Sequence, residues 1–236
     1  VGEGAVIVAI DGPAGAGKSA AARELAFRLS LPYLDTGAMY RCVGLLARRA
    51  GIVPPFGEAA AARLGEIART LDVRFAGDPR AQRVLLGDED VTAALRTPEG
   101  SKDASLVSAV PAVRRALVPR QRELAAVRGG VVEGRDIGTV VFPAARFKFF
   151  LTASPEVRAR RRFAELAARG VRTTWEEVMV EQCERDHRDT SRADSPLVPA
   201  SDARIVDTSG LTLAEVVERL LAMIAGELDS SRRRSV

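Results

Sequence analysis

Near the start of the chain, Gly12-Pro13-Ala14-Gly15-Ala16-Gly17-Lys18-Ser19 carries the clearest chemistry. Its glycines let the backbone curl until successive N–H groups face one point, and a helix starting at the loop's end adds its positive pole. The matching ligand is a phosphate oxygen. In the spacing G-x4-G-K-S, Lys18 reaches the outer phosphates of a triphosphate, and the Ser19 hydroxyl is a ligand for the magnesium ion that accompanies it. An ordinary glycine turn is the alternative, and the flanking strand and helix patterns weigh against it. Phosphate binding alone leaves open a kinase, a guanine-nucleotide switch and an ATP-driven motor. The chain has no Asn-Lys-x-Asp segment for reading guanine, and a motor needs further ATPase elements.

Arginines form the second group of chemical residues. Arg41 follows Leu34-Asp35-Thr36-Gly37-Ala38-Met39-Tyr40, and Arg135 lies in Glu133-Gly134-Arg135-Asp136. Arg185, Arg188 and Arg192 share one stripe with Asp189 if that segment is helical throughout. Arg158, Arg160, Arg161 and Arg162 crowd a further predicted helix. A solvated, salt-bridged surface explains most charge runs. Guanidinium forks also suit a transferring phosphoryl group, whose negative charge is spread over several oxygens. A phosphate monoester acceptor is already ionised near neutral pH, so such a transfer needs no general base. A lid carrying the basic helix would exclude the water that competes as acceptor.

Composition narrows the classes. The 236 residues, 47% of them hydrophobic and 28% charged, can bury a substantial core. His187 is the only histidine, which disfavours histidine-dependent hydrolase chemistry and structural zinc. Cys42 and Cys183 form no disulfide framework, so a reducing, cytoplasmic setting is expected. The apolar run Ala5–Ile10 is far too short to span a bilayer, and no secretory signal is read there. Arg232, Arg233 and Arg234 supply three of the four net positive charges, so the basicity does not point to nucleic acid.

The elements that must position these residues are legible in outline. Ala5–Ile10 reads as a buried strand, and Ser19–Leu29 as a helix with an Ala22, Leu25, Ala26, Leu29 stripe. Further strands are expected at Gly130–Glu133, Phe147–Leu151 and Ala203–Val206, with helices between them, which predicts an α/β fold with a parallel sheet. Between Leu71 and Val91 the pattern changes to short antiparallel strands, read as an inserted subdomain. Helices are expected at Pro155–Arg172, Thr174–Arg188 and Thr212–Glu227, and a disordered basic tail at 228–236.

Four segments together, IDGPAGAGKS at Ile10–Ser19, LDTGAMYR at Leu34–Arg41, EGRDIGTVVFP at Glu133–Pro143 and ERDHRDTSR at Glu184–Arg192, resemble bacterial cytidylate kinases. Their order and separations match from about Val6 to Leu221. The resemblance implies a P-loop kinase over residues 5–227, with an acceptor-binding insertion at about 39–115 and a mobile lid at about 155–172. It implies ATP with Mg²⁺ as donor and CMP or dCMP as acceptor. Gly12 to Ser19 would hold ATP, with Ser19 on the metal. Thr36, Arg41 and Arg135 would meet the acceptor phosphate, with Tyr40 lining that site. Ser105, Arg114, Asp136 and Arg192 would face the base, and Arg185 and Asp189 the ribose. Lys18, Arg41, Arg135, Arg158, Arg162 and Arg188 would form the catalytic set. Thr36 has a second reading, as a helix N-cap. Ala20 departs from the second hydroxyl common in such loops, which places more of the metal contact on Ser19. A monomer without nucleic-acid or membrane partners is expected. The rivals are a kinase for UMP, AMP or another small acceptor, and a nucleotide-binding regulatory or RNA-binding protein.

Overall fold

Strand β1 (Ile7–Asp11) is buried at all five positions, as a strand covered on both faces must be. Its side chains alternate, Val8 and Ile10 entering one apolar cluster and Ile7 and Ala9 another. The computed structural model describes the backbone of residues 6–234 and side chains as far as 228. At Gly12 the chain turns with φ 141°, and a Cβ there would stand 1.9 Å from the Leu151 carbonyl oxygen. Only glycine lets the loop leave the strand so close to its neighbour.

Helix α1 (Lys18–Arg28) buries Ala22, Leu25 and Ala26, the expected stripe. Strand β2 (Tyr33–Asp35) then ends on a carboxylate that accepts the Ala38 N–H at 3.0 Å and starts α2 (Thr36–Arg49). Asp35, not Thr36, is therefore the cap.

Between α2 and the next strand of the main sheet lie α3 (Glu58–Arg69), strands β3 (Val73–Ala76), β4 (Arg83–Leu86) and β5 (Glu89–Asp90), then α4 (Thr92–Leu95), α5 (Pro98–Val107) and α6 (Pro111–Ala126). The three strands pair antiparallel, as their texture predicts. Met39, Val43, Leu64, Val73 and Leu117 give this part its own apolar core.

The chain then adds β6 (Gly130–Glu133), a π-helical turn at Ile137–Val141 and β7 (Phe147–Thr152). Next come α7 (Pro155–Ala168), α8 (Trp175–Ser191), β8 (Arg204–Asp207) and α9 (Leu213–Arg234). A Thr174–Glu177 capping box starts α8, and Ala159, Leu166 and Val178 form a separate apolar seam between α7 and α8. Val216, Val217, Leu220 and Ile224 pack α9 on the sheet, whereas Leu213, at its first turn, is half-exposed. The expected disordered tail is corrected as far as Arg234, because no glycine or proline follows Glu227 and the helix runs on. Ser235 and Val236 lie outside the described residues. Among the described residues no helix is long and apolar enough to cross a membrane.

Five parallel strands lie in the order β2-β6-β1-β7-β8. After β6 the chain crosses β1 to reach β7, and such a reversal opens a crevice beyond the strands' carboxyl ends. That edge gathers Asp11, Asp35, Glu133, Thr152 and Asp207, the last residues of their strands. Gly12→Ala is expected to lower folding stability by about 3 kcal/mol, measured by urea titration, since both the positive φ and the Leu151 carbonyl oppose a side chain.

Candidate active site

A cleft of about 570 Å³ opens at this edge. Ala14, Gly15, Gly17, Lys18 and Ser19 line its floor, while Gly12, Pro13 and Ala16 lie behind and shape the turn. The Lys18 ammonium donates to the Pro13 carbonyl at 2.6 Å. Burial, reinforced by Arg135, pushes the Lys18 pKa well down, and Glu133 works the other way. The Ser19 hydroxyl donates to Glu133 Oε2 at 2.9 Å, and the Tyr33 hydroxyl donates to the other carboxylate oxygen. Burial and then the charge of Asp35 raise the Glu133 pKa. Glu133, unassigned in the sequence, is thus joined to the loop; its one local signal is a carboxylate closing an apolar strand. Ser19 and Glu133 together offer hard oxygen donors, the chemistry magnesium selects. Among the described residues no three metal-ligating side chains gather. A magnesium ion held here would draw its remaining ligands from phosphate and water.

Across the cleft, Thr36 donates its hydroxyl hydrogen to the Glu133 carbonyl at 2.7 Å, and Arg41 meets Asp35 at 3.2 Å. Arg135 donates from Nε to Asp189 Oδ2 at 2.9 Å, and Arg185 Nε stands 4.0 Å from the same oxygen. Burial disfavours charge on Asp189, but Arg135 and Arg185 hold its carboxyl below the usual range. Arg185, crowded by burial and by Arg135, falls to about 10. These cations outnumber the carboxylates between them, which makes the middle of the cleft an anion site.

Further in, Arg114 and Asp136 form a buried ion pair, and the Arg114 guanidinium lies 5.8 Å from the Tyr40 ring centre. Burial raises the Asp136 pKa against the pull of Arg114 and Arg192. Ser105 accepts from Arg188 Nε at 3.2 Å. Among the described residues, Arg114 Nε, Arg185 Nε and Arg192 Nη2 are buried donors without an acceptor. Buried donors in a native cleft call for acceptors on what enters it.

Three sequence expectations change. Arg192 is not on the α8 stripe: the helix ends at Ser191, and Arg192 is extended with ψ 137°, donating to the Ser195 carbonyl at 2.6 Å. It still reaches the cleft wall beside Asp136. Arg158, expected in the catalytic set, is buried away from the cleft. It donates to the carbonyls of Ala153 at 3.0 Å and Ala14 at 3.1 Å and pairs with Asp186 at 2.7 Å, holding an outward carbonyl of the phosphate loop. Arg188 also stands off the lining and meets it through Ser105. Arg162 does line the cleft, bonded to Glu165 at 3.0 Å, and so does Arg161, which sequence reasoning left without a role and which donates to Thr208 Oγ1 at 2.9 Å.

The sequence profile described as "Cytidylate kinase" matches residues 8–226. The chain belongs to the cytidylate kinase family. The "Cytidylate kinase" of Geobacter sp. (strain M21) is 50% identical over 216 residues, spanning 92% of this chain and 91% of that one. That of Pelotomaculum thermopropionicum is 50% identical over 219 residues, 92% of this chain and 95% of the relative. That of Mycobacterium leprae (strain Br4923) is 50% identical over 220 residues, 93% of this chain and 95% of the relative. The family match thus spans the phosphate loop, both arginine groups and the Arg114–Asp136 pair. Arg158 and Arg162, both on α7, divide their work. Arg158→Ala is expected to cost about 2 kcal/mol in a denaturation experiment, since Asp186 is only partly exposed and loses its partner. Arg162→Ala should leave stability within about 0.5 kcal/mol of the parent, because the partner it leaves behind, Glu165, is exposed and can be solvated. Equal losses of stability would contradict the division.

Proposed function

We propose that the protein transfers the γ-phosphoryl group of ATP to CMP or dCMP, giving ADP and CDP or dCDP. The observation that carries this reading is one cleft with a phosphate loop at one end, the buried Arg114–Asp136 pair at the other, and Arg135 and Arg185 between them. A uracil base matches the far end less well. The Asp136 carboxylate can accept from the exocyclic amine of cytosine, while Arg114, Arg192 and Ser105 supply donors for N3 and O2. Uracil replaces that amine with a carbonyl, which faces a carboxylate unfavourably.

In the reaction, a phosphate oxygen of the acceptor attacks the γ-phosphorus in line. The bond from that phosphorus to the β-phosphate bridging oxygen breaks, and its electron pair leaves with ADP. Thr36, Arg41 and Arg135 hold the acceptor phosphate, and the loop N–H groups with Lys18 hold the donor phosphates. Lys18, Arg135 and Arg162 then face the charge that spreads over the transferring oxygens, which is where fixed cations lower the barrier. Arg185 and Asp189 face the ribose. Ser19, with Glu133 behind it, would hold magnesium, which when bound would neutralise charge on the donor phosphates. Closure of the α7–α8 pair over the cleft excludes water, and Arg188 moves with α8 while meeting Ser105 of α5.

The test is turnover with ATP across CMP, dCMP, UMP and AMP. CMP and dCMP are expected to lead, and a clear AMP preference would overturn the base assignment. Lys18→Ala should depress turnover with every acceptor by about a thousandfold. Asp136→Ala should cost CMP about a hundredfold in kcat/KM and UMP far less, since a buried charged hydrogen bond is lost only with cytosine. Equal losses for both acceptors would remove Asp136 from base recognition.

A further inference from the structure

Asp11 ends β1, one residue before the phosphate loop, and is buried without lining the cleft. Its carboxylate oxygens accept from the backbone N–H groups of Ile137 at 2.8 Å and Gly138 at 2.7 Å. Those two residues open the π-helical turn and follow directly on Arg135 and Asp136. The Gly134 N–H adds a third tie, donating to the Ile10 carbonyl at 3.0 Å. From the other side the Lys148 stem closes over Gly138, where a Cβ would lie 3.2 Å from Lys148 Cδ and 3.4 Å from Asp11 Oδ2. Lys148 itself is engaged by Asp202 at 2.8 Å, and among the described residues no cation forms an ion pair with Asp11, although the charge of Lys18 acts on it from a distance.

A buried carboxylate with only backbone partners is costly to keep ionised: burial lifts the Asp11 pKa to about 6 in spite of the two N–H bonds. Packing alone would be served by an apolar side chain. What an ionised group adds is a pair of charge-assisted bonds of fixed direction. We propose that Asp11 is a positioning residue: it sets Arg135 and Asp136 relative to Lys18 by holding the start of the turn against the strand that carries the phosphate loop. The inference rests on the proposed function insofar as Asp136 reads the acceptor base.

Asp11→Asn tests it, because the amide is isosteric but keeps only one acceptor oxygen and turns an NH₂ toward a backbone N–H. Loss of one such bond should raise the KM for CMP about tenfold and erode the preference for CMP over UMP by a similar factor. ATP affinity, measured by equilibrium binding, should shift by less than about threefold. Amide hydrogen exchange at Ile137 and Gly138 should quicken in the free protein. Should Asp11→Asn not fold, Gly138→Ala, which crowds the same carboxylate without removing it, must give the same pattern. Equal losses for CMP and ATP, or unaltered CMP kinetics, would overturn the proposal. If the parent protein shows no preference for CMP, the proposed function fails by itself. The amide exchange then decides the role of Asp11, and unchanged exchange at both amides rejects it.

Discussion

Lys18, Arg135 and Arg185 lie within one another's fields: Arg135 and Arg185 make Lys18 harder to charge, and Arg135 does the same to Arg185. No fold gathers such a cluster without compensation. Here the compensation is built into the sheet. A parallel sheet brings the carboxyl ends of its strands to one edge, and β6 delivers Glu133 between the loop and Asp35. Asp189 arrives from α8 to take Arg135. Over the whole cleft lining, which also carries Arg41, Arg114 and Arg162, the cations outnumber the carboxylates, and phosphate groups complement that surplus. The shape of the site is therefore set by an electrostatic requirement at its centre, and the strand order supplies the means.

Separate apolar clusters support the two ends. The donor end is fixed to the sheet: Gly12 passes under Leu151, Arg158 holds the Ala14 carbonyl, and Thr208 donates to the Ala16 carbonyl at 3.1 Å. The proposed acceptor end draws Tyr40 from α2 and Arg114 from α6, helices that share an apolar core of their own. Asp136, between them, belongs to the sheet side through the turn that Asp11 holds. The α7–α8 pair touches both ends, through Arg158 at the loop and through Arg188 at Ser105. Contacts from three apolar units thus converge on one cleft.

Local patterns were readable from sequence because local physics produces them. The glycine spacing of the loop, the all-apolar β1 and the α1 stripe each follow from rules acting over a few residues, and the structure has them where they were expected. The strand expected at Gly130–Glu133 lies there, and the one expected at Ala203–Val206 runs one residue later, Arg204–Asp207. What stayed hidden depends on distant partners. Ser19 meets Glu133 across 114 positions, and Asp11 meets Ile137 across 126. Asp11, Asp35 and Glu133 each close a strand, and nothing local in the sequence says what each binds. Arg158 and Arg162 look alike in sequence, and only packing buries one against a loop carbonyl while leaving the other on the cleft. Arg192 carried the helical spacing but follows the residue where the helix stops. The tail to Arg234 was misread because polar composition alone does not end a helix.

A crystal structure with CMP bound tests the account's centre most directly, since it examines both ends of the acceptor site at once. The account predicts the CMP phosphate among Thr36, Arg41 and Arg135, and the cytosine amine against Asp136 with Arg114 and Arg192 beside the ring. A CMP phosphate seated in the Gly12–Ser19 loop, or a base turned away from Asp136, would contradict it.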